Sequence, residues 1–207
     1  MIHGMARPTV AYVKRSFLMG KHVMYGFVNL AIRDFVIQNH GPQCWNQIKS
    51  DVCGNVEICL PDKVYDDSFT YGIVAAIADK LNITVPTALE AFGEYWVSFV
   101  DNQGYGAMLS GNGRTFKEFL SNLDQFHSRL GTTYAEFDPP YFEFVDHGEN
   151  QLELNYTSKR PGLAHMVSGI LKGLAKRYDT EIELVADCQK FQGKFEIVIV
   201  NHPANSL

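Results

Sequence analysis

Ser121–Arg160 reads SNLDQFHSRLGTTYAEFDPPYFEFVDHGENQLELNYTSKR, and its three parts decide how the chain folds. The first part continues a run in which Phe116, Phe119, Leu120, Leu123, Phe126, His127 and Leu130 share one broad helix face. That spacing predicts a helix from Thr115 to Leu130 with His127 on its apolar side. The second part is the Pro139-Pro140 step, which a helix cannot cross. In the third, Tyr141 to Val145 and Leu152 to Tyr156 alternate about a His147-Gly148-Glu149-Asn150 turn, the pattern of an antiparallel hairpin.

Alternate residues of a strand share a face, so Tyr156, Ser158 and Arg160 are expected to point the same way. A phenol, a hydroxyl and a guanidinium aimed together make a fork of donors suited to carboxylates. A single histidine near such a fork suggests haem, with an imidazole for the iron and donors for the propionates. Two ordinary readings stand beside it. A histidine on an apolar helix face can be a partly buried residue bonded to a neighbour, and the three strand residues can simply face solvent.

Upstream, Phe27, Ala31, Phe35 and Val36 recur at helical spacing from Met24 to His40, with Gly41 as the C-cap. A short helix over Cys44–Val52 follows. Asp66-Asp67-Ser68 offer N-caps for a helix to about Leu81, and Pro86 suits the first turn of another that runs to Val100. Asn102-Gln103-Gly104 and Gly111-Asn112-Gly113 break the chain on either side of a short helical turn, Tyr105 to Leu109. Downstream, Gly162–Tyr178 reads as a helix, and Ile182–Val185 and Phe195–Val200 as strands. Helices first, then strands packed with a helix, predict an α+β fold.

A chain of 207 residues with 46% hydrophobic content can bury a substantial core in one domain or two subdomains. The net charge of −5, with no dense basic stripe, speaks against a nucleic-acid partner. Cys44, Cys53, Cys59 and Cys188 lack paired metal spacing and read as reduced, mostly buried thiols of a cytoplasmic protein. No apolar run approaches membrane-spanning length. Residues 1–23, with Lys14 and Arg15 inside the apolar part, do not read as a signal peptide. They read as a disordered extension or an upstream start, with a docking amphipathic helix as the alternative.

The Tyr156-x-Ser158-x-Arg160 run, with His127 upstream and Pro139-Pro140 between, resembles the H-NOX (haem nitric oxide/oxygen binding) family. That family includes the haem domain of soluble guanylate cyclase and bacterial stand-alone proteins. Met24-Tyr25-Gly26-Phe27-Val28-Asn29 and Ala91-Phe92-Gly93-Glu94-Tyr95-Trp96 are similar to its other motifs, and the match runs from Met24 to about Val200.

The resemblance implies an H-NOX domain over residues 24–207, with a helical N-terminal subdomain, a C-terminal antiparallel sheet and haem b buried between them. His127 would be the iron ligand, Tyr156, Ser158 and Arg160 the propionate partners, and Pro140 the residue that presses on the porphyrin. On the distal side, O2-binding members carry a tyrosine. Counting back from Gly169 puts Met166 at that position, whereas counting forward from Arg160 can put His165 there. Trp96 is the other polar candidate, or else a core tryptophan, and Val28 and Ile32 would add pocket walls. An apolar Met166 favours NO over O2.

The expectation is therefore a sensor that binds NO, and also CO, at a five-coordinate ferrous haem and has no catalytic activity of its own. With the sequence ending at Leu207, it would signal in trans to a histidine kinase or a cyclic-nucleotide enzyme. The alternatives are an O2 or redox sensor on the same haem, the haem-binding part of a guanylate cyclase, or a peroxide-consuming enzyme. The last would need a polar distal acid–base pair.

Overall fold

The computed structural model describes residues 22–201. Most of the expected N-terminal extension, residues 1–21, lies outside the described residues. The chain divides after Ala88 into two compact units. Among the described residues no single helix is long and apolar enough to cross a membrane.

The first unit is helical. A short ribbon of β1 (Val23–Tyr25) and β2 (Val64–Asp66) opens it, with Val23 opposite Asp66. Three helices follow the expected pattern: α1 (Gly26–His40), α2 (Pro42–Cys53) and α3 (Asp67–Leu81). Gly26 turns β1 into α1 where a Cβ would lie 2.1 Å from the Leu60 carbonyl oxygen, so only glycine fits. Gly41 ends α1 at φ 83, its N–H bonded to Ile37 O at 2.9 Å. Asp66 caps α3, accepting from the Ser68 N–H at 2.9 Å. Ala31, Ile32, Val36, Trp45, Ile48, Ile73 and Ile77 are buried. Asn29, also buried, donates to Ile58 O at 3.0 Å and accepts from Thr70 Oγ1 at 2.7 Å. The four cysteines are free thiols, Cys53 and Cys59 buried and Cys44 and Cys188 half-buried. Burial pushes the Cys59 thiol up to about 11, which keeps it protonated and inert.

Most of α4 (Val85–Val100) lies in the second unit; the helix breaks in the turn Asp101–Tyr105, where Gly104 leaves helical geometry at φ 90, and α5 (Gly106–Ser110) follows. The expected single helix from Thr115 to Leu130 is instead two, α6 (Phe116–Ser121) and α7 (Leu123–Thr133). Asn122 leaves helical geometry, at φ −100 and ψ 2, and its side chain donates to Asn112 O at 2.9 Å. A local polar contact thus wins over a continuous apolar face.

Four antiparallel strands follow in the order β3-β4-β6-β5: β3 (Tyr141–Gly148), β4 (Gln151–Thr157), β5 (Glu181–Cys188) and β6 (Gln192–Asn201). The β3–β4 turn uses Glu149 and Asn150, both at positive φ, a twist that matches the strands. α8 (Ala164–Arg177) packs on β5 and β6. The core here joins Val167, Leu171 and Leu174 to Leu152, Leu154, Phe195, Ile197 and Ile199. Each such side chain contributes about 1.5–3 kcal/mol on burial.

α8 and α4 approach backbone to backbone. A Cβ on Gly169 would lie 1.9 Å from Glu90 O, one on Gly93 2.1 Å from Met166 O, and one on Gly173 2.7 Å from Glu94 O. Lys172–Glu90 and Lys176–Glu94 ion pairs flank the seam. The order of helices, then sheet with a helix, makes the fold α+β, as the sequence order predicts.

Candidate functional site

The site grows from α7. One turn into this helix, the half-buried His127 ring packs between aromatic neighbours: Phe126 edge-on at 5.7 Å, Phe142 at 5.1 Å and Phe137 stacked at 6.4 Å. Its Nδ1 donates to the Leu123 carbonyl at 2.9 Å, which leaves the lone pair on Nε2. Among the described residues Nε2 has no hydrogen-bond partner. Burial lowers the His127 pKa, against smaller opposing effects of the Leu123 bond and the Asp124 charge. The imidazole is therefore neutral at neutral pH, the form that ligates a metal. Asp124 also accepts from the Phe142 N–H at 3.1 Å, which fixes β3 against α7.

From His127 the rings continue to the donor fork. Phe142 faces Tyr156 across the β3–β4 ladder, with ring centroids 5.4 Å apart. The sequence placed Tyr156, Ser158 and Arg160 on one strand face, but β4 ends at Thr157. The three come together around a turn instead. Ser158 N donates to Phe191 O at 2.9 Å, and the Ser158 hydroxyl accepts from the Arg160 N–H at 3.0 Å. Burial pushes the Tyr156 phenol up, partly offset by its hydrogen bond with Ser158 and the Arg160 charge. Arg160 is only 6% exposed, and its Nη1 donates to Asp138 O at 2.8 Å. That carbonyl lies in the segment that carries Pro139 and the half-buried Pro140 into β3.

An enclosed neutral imidazole with Nε2 available, an aromatic wall and a buried guanidinium beside two hydroxyls fit a haem, whose iron takes an axial nitrogen and whose propionates take charged donors. Trp96 lies on α4 and Met166 on α8, the two helices of the seam. Both are half-buried, and Trp96 packs against Phe92 and Phe99 at 6.0 and 6.2 Å. Met166 meets α4 through its carbonyl at Gly93, one turn before Trp96. Val28 and Ile32 lie on α1 of the first unit, Ile32 buried there. The sequence reading missed Phe137, Phe142, Asp124 and the Leu123 carbonyl. Phe142 lies in the alternating run Tyr141 to Val145, but nothing local tied it to His127.

This α+β fold links the imidazole on α7 to a buried arginine by way of the Phe142 and Tyr156 rings. The haem-NO-binding (HNOB) family matches residues 25–186, and the chain belongs to that family, a haem-binding gas-sensor domain. Soluble guanylate cyclase gcy-32 of Caenorhabditis elegans is 30% identical over 167 residues, covering 78% of this chain and 24% of that protein. Guanylate cyclase soluble subunit beta-2 of Rattus norvegicus is 38% identical over 97 residues, 46% of this chain and 14% of the relative. The chain thus spans about a quarter or less of these relatives' length. A variant H-NOX protein from S. oneidensis in the Fe(II) state superposes with TM-score 0.81 at 20% identity, covering 89% of this chain and all of that one. The Fe(II)NO form of an H-NOX protein from S. oneidensis gives 0.78 at 21%, with 86% and 100% covered. These likenesses show the shared fold.

Proposed function

We propose that residues 24–207 form a cytoplasmic nitric oxide sensor that holds haem b through His127 and signals in trans to a kinase or a cyclic-nucleotide enzyme. The observation that carries the reading is the His127 ring, neutral and fixed by Leu123, with Nε2 left as its ligating atom. Arg160, with the Tyr156 and Ser158 hydroxyls, binds the propionates. Its buried guanidinium gives the strongest of these contacts because charge-assisted bonds gain most away from water. Pro140, just ahead of β3, presses on the porphyrin.

A bound haem, held by His127, would supply an iron able to bind a diatomic gas. Met166 offers no hydroxyl to such a gas, which favours NO over O2, a ligand that needs a hydrogen-bond donor. α7, which carries His127, would pass gas binding on to a partner by shifting between two arrangements. The domain itself performs no catalysis.

The experiment is the absorption spectrum of the haem-loaded ferrous protein in air, then with CO, then with NO. A spectrum unchanged in air but altered by CO and by NO is expected. A stable change in air would overturn the NO-selective reading and point to Trp96 or His165 as a polar partner.

A further inference from the structure

Asn112 lies in the turn between α5 and α6 and is 2% exposed. Its Oδ1 accepts from Arg129 Nη2 at 2.8 Å, two residues beyond His127. Its backbone carbonyl accepts from Asn122 Nδ2, just before α7, at 2.9 Å. Its own Nδ2 donates to Phe119 O at 3.3 Å, and its N–H to Leu109 O at 3.0 Å. One buried residue therefore holds α7 on both sides of His127.

The same turn is tied to the end of α8. Tyr178 Oη donates to Gly113 O at 3.0 Å. Arg177 pairs with Asp101 through Nε at 2.8 Å and Nη2 at 3.0 Å, and Nη2 also reaches Gly106 O at 3.2 Å and Ser110 Oγ at 3.0 Å. The turn has no slack, since a Cβ on Gly113 would lie 2.4 Å from Phe119 N.

We infer that Asn112 is a positioning residue for the His127 helix, acting through Arg129 and Asn122, and that the Leu109–Gly113 turn couples movement of α7 to the C-terminal end of α8. The inference rests on the reading of His127 as the haem ligand. A buried amide with its groups engaged is costly to leave half-satisfied, so turn and helix move together. Arg129 is exposed, and removing its side chain breaks the clamp without opening the core.

The test compares wild type, Arg129→Ala, Arg129→Lys and His127→Gly. One readout is the iron–histidine stretching band of the haem-loaded ferrous protein by resonance Raman. The other is hydrogen exchange of α7 amides in the haem-free protein. Arg129→Ala is expected to shift the band and to speed α7 exchange by about tenfold, as for loss of one hydrogen bond from a charged group. Arg129→Lys should recover part of both, and His127→Gly should lack the band. A wild-type band and exchange rate in Arg129→Ala, with the band gone in His127→Gly, overturns the clamp and leaves the ligand reading intact. A band that survives in His127→Gly overturns the ligand reading itself, and with it the clamp's role in positioning the ligand.

Discussion

His127 Nδ1 lies 2.9 Å from the carbonyl oxygen of Leu123, one turn earlier on the same helix. The helix backbone thereby chooses the tautomer of the imidazole, and burial keeps it uncharged. The unfolded chain binds a proton at this histidine below about pH 6.5, whereas the folded chain resists it. The unfolded state then holds more protons, so stability of the haem-free protein rises with pH between the lowered folded pKa and about 6.5. Thermal melts of haem-free wild type and His127→Gln across this window should show a steeper loss on acidification in wild type. Equal slopes would refute the assignment.

Arg160 is buried and donates to the Asp138 carbonyl beside the Tyr156–Ser158 pair. Replacing it by Lys removes the planar fork, and by Ala the charge as well. A lost charge-assisted bond is worth about 1.5–3 kcal/mol, so haem should dissociate about tenfold or more faster from Arg160→Ala. Transfer of haem to an excess of an apo-globin measures this, with Arg160→Lys expected to be intermediate.

The α4–α8 seam predicts opposite outcomes for two glycines. Gly169→Ala drives a methyl to 1.9 Å from Glu90 O and should cost about 1–3 kcal/mol or more. Gly131, inside α7, would place its Cβ 3.6 Å from Pro139 Cγ, an ordinary contact. Gly131→Ala should be neutral or stabilising by up to about 1 kcal/mol, through helix propensity. Urea unfolding of the two variants decides the matter.

Most of the architecture was legible because it is written in period and punctuation. The run Phe116 to Leu130 marked the histidine helix, the alternation around Gly148 marked the hairpin, and Gly41 and Asp66 marked helix ends. What escaped depends on contacts distant in sequence. Asn122 interrupts a continuous apolar face because its side chain reaches Asn112, ten residues back. Ser158 and Arg160 converge by turning beyond the strand end, held by Phe191 on the β5–β6 connection, rather than by strand alternation. The β1–β2 ribbon is three residues a side, too short for alternation to register.

The Met166 carbonyl meets α4 at Gly93, and its side chain carries no hydroxyl. Met166→Tyr should supply a donor and produce a reversible change in the ferrous spectrum on exposure to air, which wild type lacks. The same spectrum taken of Trp96→Phe should match wild type. An air-induced change in wild type that Trp96→Phe removes would assign the donor to the indole.

The most direct test of the account is a haem titration of haem-free wild type and His127→Gly, each reduced and scanned before and after free imidazole is added. Wild type is expected to bind haem saturably, and His127→Gly to give a ferrous spectrum that lacks the histidine-ligated form and recovers it with imidazole. A His127→Gly protein whose reduced spectrum equals that of wild type without imidazole would contradict the reading of His127 as the haem ligand.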